Sequence, residues 1–346
     1  MIRVLVVDDS PTARTLIVEI LSRDPEIQVV GEAQDGIEGV EQTLRLRPDL
    51  VTMDLRMPRL DGFAATKEIM ITTPTPIVIV TASFKDREVE AAMQSLRVGA
   101  VAVLRKPPGP SSLAFEAEAE KLIDTVKAMA HVKVVRHWRT TPGAGPPRTL
   151  PRLSGRTRSI VTIATSTGGP AALHRILTHL PGDFAPPILV VQHNAPGFMG
   201  GLVNWLDGSS DLSVKVAVHD EALRPHTVYL APDGQHLGVS TPGTALLSDT
   251  PPISGFRPAG TFLFDSAAGV YGSAVVAVIL TGMGEDGVAG LRKVRDAGGF
   301  IIAQDEATSI VWGMPGAAVH AGLADLVLPI EEIPARLLDL FAKPST

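Results

Sequence analysis

The chain of 346 residues contains no cysteine. Disulfides, thiolate metal centres and a cysteine nucleophile are therefore excluded. Aromatic residues are scarce, at 4%, and the apolar content of 45% comes mainly from aliphatic residues. That mix suits parallel strands covered by helices. Charge is low as well: a net charge of −6 gives no basic footprint for nucleic acid. Long apolar runs are missing, and stretches such as Ala274–Leu280 have the length of a strand, not of a membrane span. Met1-Ile2-Arg3-Val4-Leu5 enters a strand at once, without the apolar region and cleavage site of a signal peptide. The expectation is a cytoplasmic protein with no nucleic-acid partner and no direct membrane insertion.

The length exceeds a typical domain of ~100–200 residues, so two domains are expected. In the first part, apolar strands read at Arg3–Val7, Ile27–Val30, Leu50–Met53, Ile77–Val80 and Ala100–Leu104. Amphipathic helices fall between them near Thr12–Ser22, Gly36–Leu46, Gly62–Met70 and Asp86–Leu96, and a last one runs near Leu113–Ala130. Five alternating units predict a five-stranded, doubly wound parallel sheet over residues 1–128. Residues 129–157 read as an interdomain linker. The stretch His131–Arg158 holds Pro142, Pro146, Pro147 and Pro151, seven Lys or Arg and no acid, a composition that suits a solvated, extended segment. Alternation resumes over 158–346. Strands are predicted at Ser159–Ala164, Ile188–Gln192, Ala274–Leu280, Phe300–Ala303 and Leu326–Leu328, and Leu212–Ser248 reads as an antiparallel hairpin region added to a parallel sheet.

Asp8 and Asp9 lie just past the first strand, Asp54 past the third, Thr81 past the fourth and Lys106 past the fifth. In a doubly wound sheet these strand ends form the ligand crevice. Clustered carboxylates repel one another, and a hard divalent ion such as Mg²⁺ is their natural partner. Taken singly, each acid is equally well read as a strand-end or helix-cap residue. Together, Val7-Asp8-Asp9-Ser10, Met53-Asp54-Leu55-Arg56-Met57-Pro58 with Asp61-Gly62, Thr81-Ala82 and Lys106-Pro107 resemble the response-regulator receiver family. The resemblance implies that Asp54 accepts a phosphoryl group from a chemotaxis histidine kinase. It implies that Asp9, Asp54 and the carbonyl of Arg56 bind Mg²⁺, with Asp8 assisting through water, and that Thr81 and Lys106 contact the phosphoryl oxygens. Val103 and Leu104 stand where that family usually carries an aromatic residue.

In the second half, Thr165-Ser166-Thr167-Gly168-Gly169-Pro170 separates a strand from a helical pattern at Ala171–Leu180. A serine on such a turn is exposed, and nearby amides and the helix dipole favour an oxyanion. Plain turn chemistry or a phosphate loop is the competing reading, although neither nucleotide-loop pattern is present. His193 follows the strand Val190-Val191-Gln192, and Asp286 follows Leu280-Thr281-Gly282-Met283-Gly284-Glu285. At three strand ends, Ser166, His193 and Asp286 suit a nucleophile, a base and its orienting carboxylate. Singly, His193 reads as a strand-end histidine and Asp286 as a helix N-cap. His174 and His179 read as surface residues and His236 as structural.

Ser166-Thr167-Gly168-Gly169-Pro170, Gln192-His193 with Pro196-Gly197-Phe198, Tyr229-Leu230-Ala231-Pro232, Leu280-Thr281-Gly282-Met283-Gly284 with Asp286-Gly287, Ala303-Gln304-Asp305-Glu306 and Gly313-Met314-Pro315 resemble the catalytic domain of chemotaxis protein-glutamate methylesterases. The order receiver, linker, hydrolase is also theirs. The resemblance implies a Ser166–His193–Asp286 triad with Thr167 and the backbone of Met283 lining the site. It further implies hydrolysis of glutamyl methyl esters and deamidation of glutamines on chemotaxis receptors, with no cofactor for the esterase reaction. Ala164, Asn194-Ala195 and Arg257-Pro258-Ala259-Gly260-Thr261 depart from that family's usual residues. A methylesterase-like signalling adaptor and an esterase of another pathway are the competing functions.

Overall fold

The computed structural model describes residues 1–82, 86–132, 158–194 and 197–342. Most of the predicted linker, 133–157, lies outside the described residues, as do Ala195 and Pro196. The chain divides into two compact units, Met1–Ala144 and Gly145–Thr346.

In unit 1, β1 (Ile2–Val7), β2 (Ile27–Ala33), β3 (Leu50–Met53), β4 (Ile77–Thr81) and β5 (Ala102–Arg105) form one parallel sheet in the order β2-β1-β3-β4-β5. Helices α1 (Pro11–Leu21), α2 (Gly36–Leu46), α3 (Gly62–Thr72), α4 (Asp86–Val98) and α5 (Phe115–Met129) alternate with the strands. Local chemistry sets the helix starts. Ser10 accepts from the Ala13 amide, Asp35 from the Ile37 and Glu38 amides, and Asp61 from the Ala64 amide, which satisfies donors left over at each first turn. The expected five-stranded sheet is observed. β3 falls on its expected residues; the other strands differ at one end or both by one to three residues, as hydrogen bonding continues past the apolar run into residues such as Glu32 and Arg105 and β5 starts at Ala102 instead of Ala100.

Unit 2 is built on a seven-stranded parallel sheet in the order β14-β13-β12-β6-β7-β9-β8. Its strands are β6 (Ile160–Thr165), β7 (Ile188–Gln192), β8 (Ser213–Val216), β9 (Thr227–Leu230), β12 (Val275–Ile279), β13 (Phe300–Gln304) and β14 (Leu326–Leu328). The antiparallel pair β10 (His236–Thr241) and β11 (Thr244–Ser248) forms a separate two-stranded sheet. The hairpin expected within Leu212–Ser248 is therefore confined to its second half. β8 and β9 instead pair in parallel and extend the main sheet. The sheet is flanked by α6 (Gly169–Leu177), α7 (Met199–Asp207), α8 (Gly260–Tyr271), α9 (Val288–Asp296), α10 (Met314–His320) and α11 (Ile333–Phe341). Every residue of β6, β7 and β12 is buried, as expected for parallel strands covered on both faces. From β6 the chain first moves to β7 on one side and later returns to β12 on the other. The strand order thus reverses beside β6, and the crevice outside the carboxyl ends of β7, β6 and β12 is where such sheets bind ligands. No helix among the described residues is long and apolar enough to cross a membrane.

Candidate functional site

The reversal point in unit 2 brings three predicted residues to one rim. Ser166 follows β6 directly, in a turn closed by the hydrogen bond from the Gly169 amide to the Ser166 carbonyl at 2.8 Å. Gly168 has φ +80°, and its conformation lets the chain turn sharply into α6 with Pro170 in the first helical turn. Gln192, buried at the end of β7, sends its side-chain amide to the Ser166 carbonyl at 2.8 Å and to the His193 carbonyl at 2.9 Å. The opposite amide orientation would face an oxygen to two carbonyls, so the assignment of donor and acceptor is fixed by chemistry. One side chain therefore ties the serine turn to the histidine.

The imidazole of His193 meets Asp286 through Nε2, 2.9 Å from Oδ2. Its Nδ1 is buried and has no hydrogen-bond partner among the described residues. A neutral imidazole protonated at Nε2 has its basic lone pair on Nδ1, so Nδ1 is the nitrogen left for proton transfer. The ring stacks on Phe256, with centroids 4.1 Å apart and planes 8° from parallel, which sets its tilt.

Asp286 is not a helix N-cap. Gly287 takes that place, with φ +97°, and α9 starts one residue later. The Asp286 carboxylate instead turns back and accepts the backbone amides of Gly260 at 2.5 Å and Thr261 at 3.0 Å, at the start of α8. Burial alone would push this carboxyl up. The hydrogen bond and charge of His193, with the Thr261 donors, outweigh burial and hold it below its ordinary value. An ionised carboxylate next to His193 is the state that favours an imidazolium.

Sequence reading missed Gly260, Thr261 and Phe256 as parts of this site. All three lie in or beside the stretch that departs from the resembled family. Ala164 belongs to the same adjustment: a Cβ on Gly260 would approach the Ala164 methyl to 2.6 Å, so the methyl at 164 and its absence at 260 are matched. Thr167 and Met283 are half-buried. Thr167 follows Ser166 in the chain and Met283 follows Gly282, whose Cα side packs on Ser166, and neither amide donates a hydrogen bond among the described residues. His236 is fully buried, accepting from the Ala259 amide at 3.2 Å through Nδ1 and reaching the Pro251 carbonyl at 3.2 Å through Nε2. It steadies the segment that holds Asp286. His174 is not a free surface residue: it stacks on Trp205 at 4.6 Å.

In unit 1, ligand oxygens of Asp8, Asp9 and Asp54 lie within 4.8 Å of one another. Lys106 reaches Asp8 at 2.7 Å and Asp54 at 2.9 Å. Burial pushes the Asp54 carboxyl up, and neighbouring Asp8 adds to this against the opposing pull of Lys106. Burial draws the Lys106 ammonium down, but its bonds to Asp8 and Asp54 prevail and raise it. One ammonium therefore does not neutralise the cluster. An all-oxygen set with surplus negative charge fits a hard divalent cation such as Mg²⁺. Thr81 ends β4, and its carbonyl accepts the Lys106 amide at 2.8 Å, so both lie on the same rim. Gly62 is required beside Asp54, because any Cβ there would collide with the Asp54 carbonyl.

Fold and rims together define a class: a two-unit α/β protein with a receiver-type acidic rim on one sheet and a Ser–His–Asp rim on the other. Comparison with known proteins narrows it. Residues 4–117 match the response regulator receiver domain, and residues 161–337 match the CheB methylesterase family. Protein-glutamate methylesterase/protein-glutamine glutaminase 4 of Myxococcus xanthus is 52% identical over 343 residues, covering 98% of this chain and 97% of that protein. Protein-glutamate methylesterase/protein-glutamine glutaminase 3 of Anaeromyxobacter dehalogenans is 51% identical, covering 97% and 98%. The crystal structure of the Thermotoga maritima CheB methylesterase catalytic domain is matched with a TM-score of 0.52 at 45% identity, over 54% of this chain and 100% of that one. The chain belongs to the CheB methylesterase family and carries a receiver domain ahead of the methylesterase domain.

Proposed function

We propose that this chain hydrolyses glutamyl γ-methyl esters on chemotaxis receptors, and deamidates specific glutamines there, under control of its receiver domain. The observation that carries this reading is the buried His193–Asp286 pair at 2.9 Å, set beside Ser166 at adjoining strand ends. Ser166 Oγ attacks the ester carbonyl while His193 Nδ1 takes its proton. The amides of Thr167 and Met283 receive the charge that develops on the carbonyl oxygen. Collapse of the tetrahedral adduct breaks the bond to the methoxy oxygen, and His193 returns the proton to release methanol. Water then attacks the acyl-enzyme by the same route, restoring Ser166 and leaving a glutamate. With a glutamine the leaving group is ammonia and the remaining steps are unchanged.

Asp54 takes the phosphoryl group of a chemotaxis histidine kinase, its carboxylate oxygen replacing the histidine nitrogen on phosphorus. Asp9, Asp54 and the carbonyl of Arg56 would hold Mg²⁺, with Asp8 assisting through water. Bound there, the cation supplies charge neutralisation for the incoming phosphoryl group. Lys106 and Thr81 contact its oxygens. The order of the two domains supports a restraint of the hydrolase by the unphosphorylated receiver, relieved by phosphorylation. Methanol release from methylated receptor membranes, with and without a small phosphodonor, tests the reading. Release that depends on Ser166 and rises with phosphodonor is expected. Absence of release, where another methylesterase works on the same membranes, would leave a signalling adaptor or an esterase of another pathway.

A further inference from the structure

We propose that the Thr281 hydroxyl is a positioning group for the reaction: through the peptide between Thr167 and Gly168 it aims the Gly168 amide, a further oxyanion donor beside those of Thr167 and Met283. The inference rests on the esterase reading above and deepens it.

Thr281 lies just past β12 and is 1% exposed. All its polar atoms are committed. Its amide donates to Gln304 Oε1 at 2.9 Å. Its carbonyl accepts the Ser166 amide at 3.0 Å and the Thr165 hydroxyl at 2.8 Å. Its hydroxyl accepts the Val311 amide at 2.9 Å and has one proton to give. The nearer acceptor for that proton is the Thr167 carbonyl at 2.9 Å, and the Val311 carbonyl lies farther away at 3.2 Å. Three segments thus meet at one residue: the serine turn, the loop carrying Met283, and the stretch around Val311.

A trans peptide plane points its N–H away from its C=O, so holding the carbonyl aims the amide of the next residue. Three amides, two in the serine turn and one following Gly282, which packs on Ser166, have no hydrogen-bond partner among the described residues: Thr167, Gly168 and Met283. Each is aimed by whatever holds the preceding carbonyl. The Ser166 carbonyl is held by Gln192 and by the Gly169 amide. The Gly282 carbonyl is held by the Met314 amide at 2.8 Å. The Thr167 carbonyl is held by the Thr281 hydroxyl. Of the three, this last plane is the one fixed by a single side-chain donor, and its amide belongs to Gly168, which sits at φ +80° and has no Cβ to restrict its backbone. Donors must be oriented before charge develops if they are to favour the transition state over the bound ester. Losing the hydroxyl therefore lowers kcat and leaves ester binding almost untouched.

The test uses full-length chain activated with a phosphodonor, on methylated receptor membranes, with active sites counted by exhaustive reaction with a fluorophosphonate. Thr281→Val keeps the shape and removes the hydroxyl; Thr281→Ser keeps the hydroxyl. The expected result for Thr281→Val is a kcat per titrated site lower by about 10²-fold, the range for loss of one oxyanion donor. KM should stay within about two-fold, and the pH profile should not shift, because His193 and Asp286 are untouched. Thr281→Ser should recover most of the rate. Wild-type kcat per site in Thr281→Val overturns the proposal. So does an equal loss in Thr281→Ser, or a loss carried by KM or by the count of competent sites alone. Ser166→Ala is run alongside: unchanged methanol release there would sink the esterase reading itself, whatever the Thr281 variants do.

Discussion

Gly282→Ala offers a sharp steric test of the serine rim. A Cβ at residue 282 would lie 2.7 Å from Ser166 Cβ and 3.1 Å from the Ser166 amide nitrogen, and would also press on Met314 Sδ. Carbon atoms in contact sit at about 3.5–4.0 Å, so the shortfall against Ser166 is about 1 Å. The thioether of Met314 can swing aside. Ser166 cannot do so freely, since its amide is bonded to the Thr281 carbonyl and its carbonyl to Gln192. Backbone strain is not the cause, because Gly282 is not among the glycines with positive φ. Either the serine or the loop bearing Met283 must move by most of that ångström. A displacement of this size at a reacting atom costs about 10²-fold in rate, equivalent to about 2.7 kcal/mol of activation free energy. The overpacking should also destabilise the fold by about 1–3 kcal/mol, which urea unfolding measures separately. Gly269→Ala, on α8 with open space around the new methyl, is the control and should keep full activity. The assay is methanol release per folded molecule under phosphodonor. An alanine at 282 with wild-type kcat/KM would refute the placement of Ser166 against this loop.

Further consequences concern charge and ring packing. Asp286→Asn should lower kcat by about 10³–10⁴-fold, since an amide there selects the wrong imidazole tautomer and no longer favours the imidazolium; steady-state kinetics with circular dichroism as a folding check would show it. The depressed Asp286 carboxyl adds stability that is present above its unfolded value near 3.8 and disappears as pH falls through its lower folded value. Acid titration of unfolding free energy should accordingly show a smaller loss below about pH 4 in Asp286→Asn than in wild type. Lys106→Ala leaves Asp8 and Asp54 buried without their cation, and should destabilise the receiver unit by about 3 kcal/mol in chelator; added Mg²⁺ should recover part of it, and identical unfolding curves with and without Mg²⁺ would count against the acidic rim as a cation site. Phe256→Ala removes the ring stacked on His193, worth about 0.5–1.5 kcal/mol, so kcat should drop roughly ten-fold at most while KM changes little.

The strands that carry the sites were legible because parallel strands buried on both faces leave continuous apolar runs. Their carboxyl ends could therefore be read off, and Asp8, Asp54, Ser166 and His193 stand directly past Val7, Met53, Thr165 and Gln192. β8 and β9 were harder. Each has four residues, and Pro225 and Pro232 lie close by, so their pattern suggested a hairpin. β9 pairs with both β7 and β8 in the main sheet, a long-range placement that a local pattern does not encode. The partners of Asp286 were illegible for a different reason. Gly260 and Thr261 act through backbone amides, and an amide has no residue-type signature. What could be seen was a local mismatch with the resembled family at 257–261, at Ala164 and at Asn194-Ala195; of these, Gly260 and Thr261 prove to bond the carboxylate, and Gly260 lies against Ala164. His236 was read as structural from its place near a hairpin. Its full burial and two hydrogen bonds agree with that, although the segment it braces leads directly to Asp286.

The central claim is that Ser166, His193 and Asp286 form one hydrolytic unit. Covalent trapping tests it most directly: the full-length chain is treated with a fluorophosphonate, digested, and the modified peptide sequenced by mass spectrometry. The account predicts a single adduct on Ser166, absent in Ser166→Ala and formed far more slowly in His193→Ala and Asp286→Asn. Labelling at wild-type speed in His193→Ala, or an adduct on another residue with Ser166 unmodified, would contradict it.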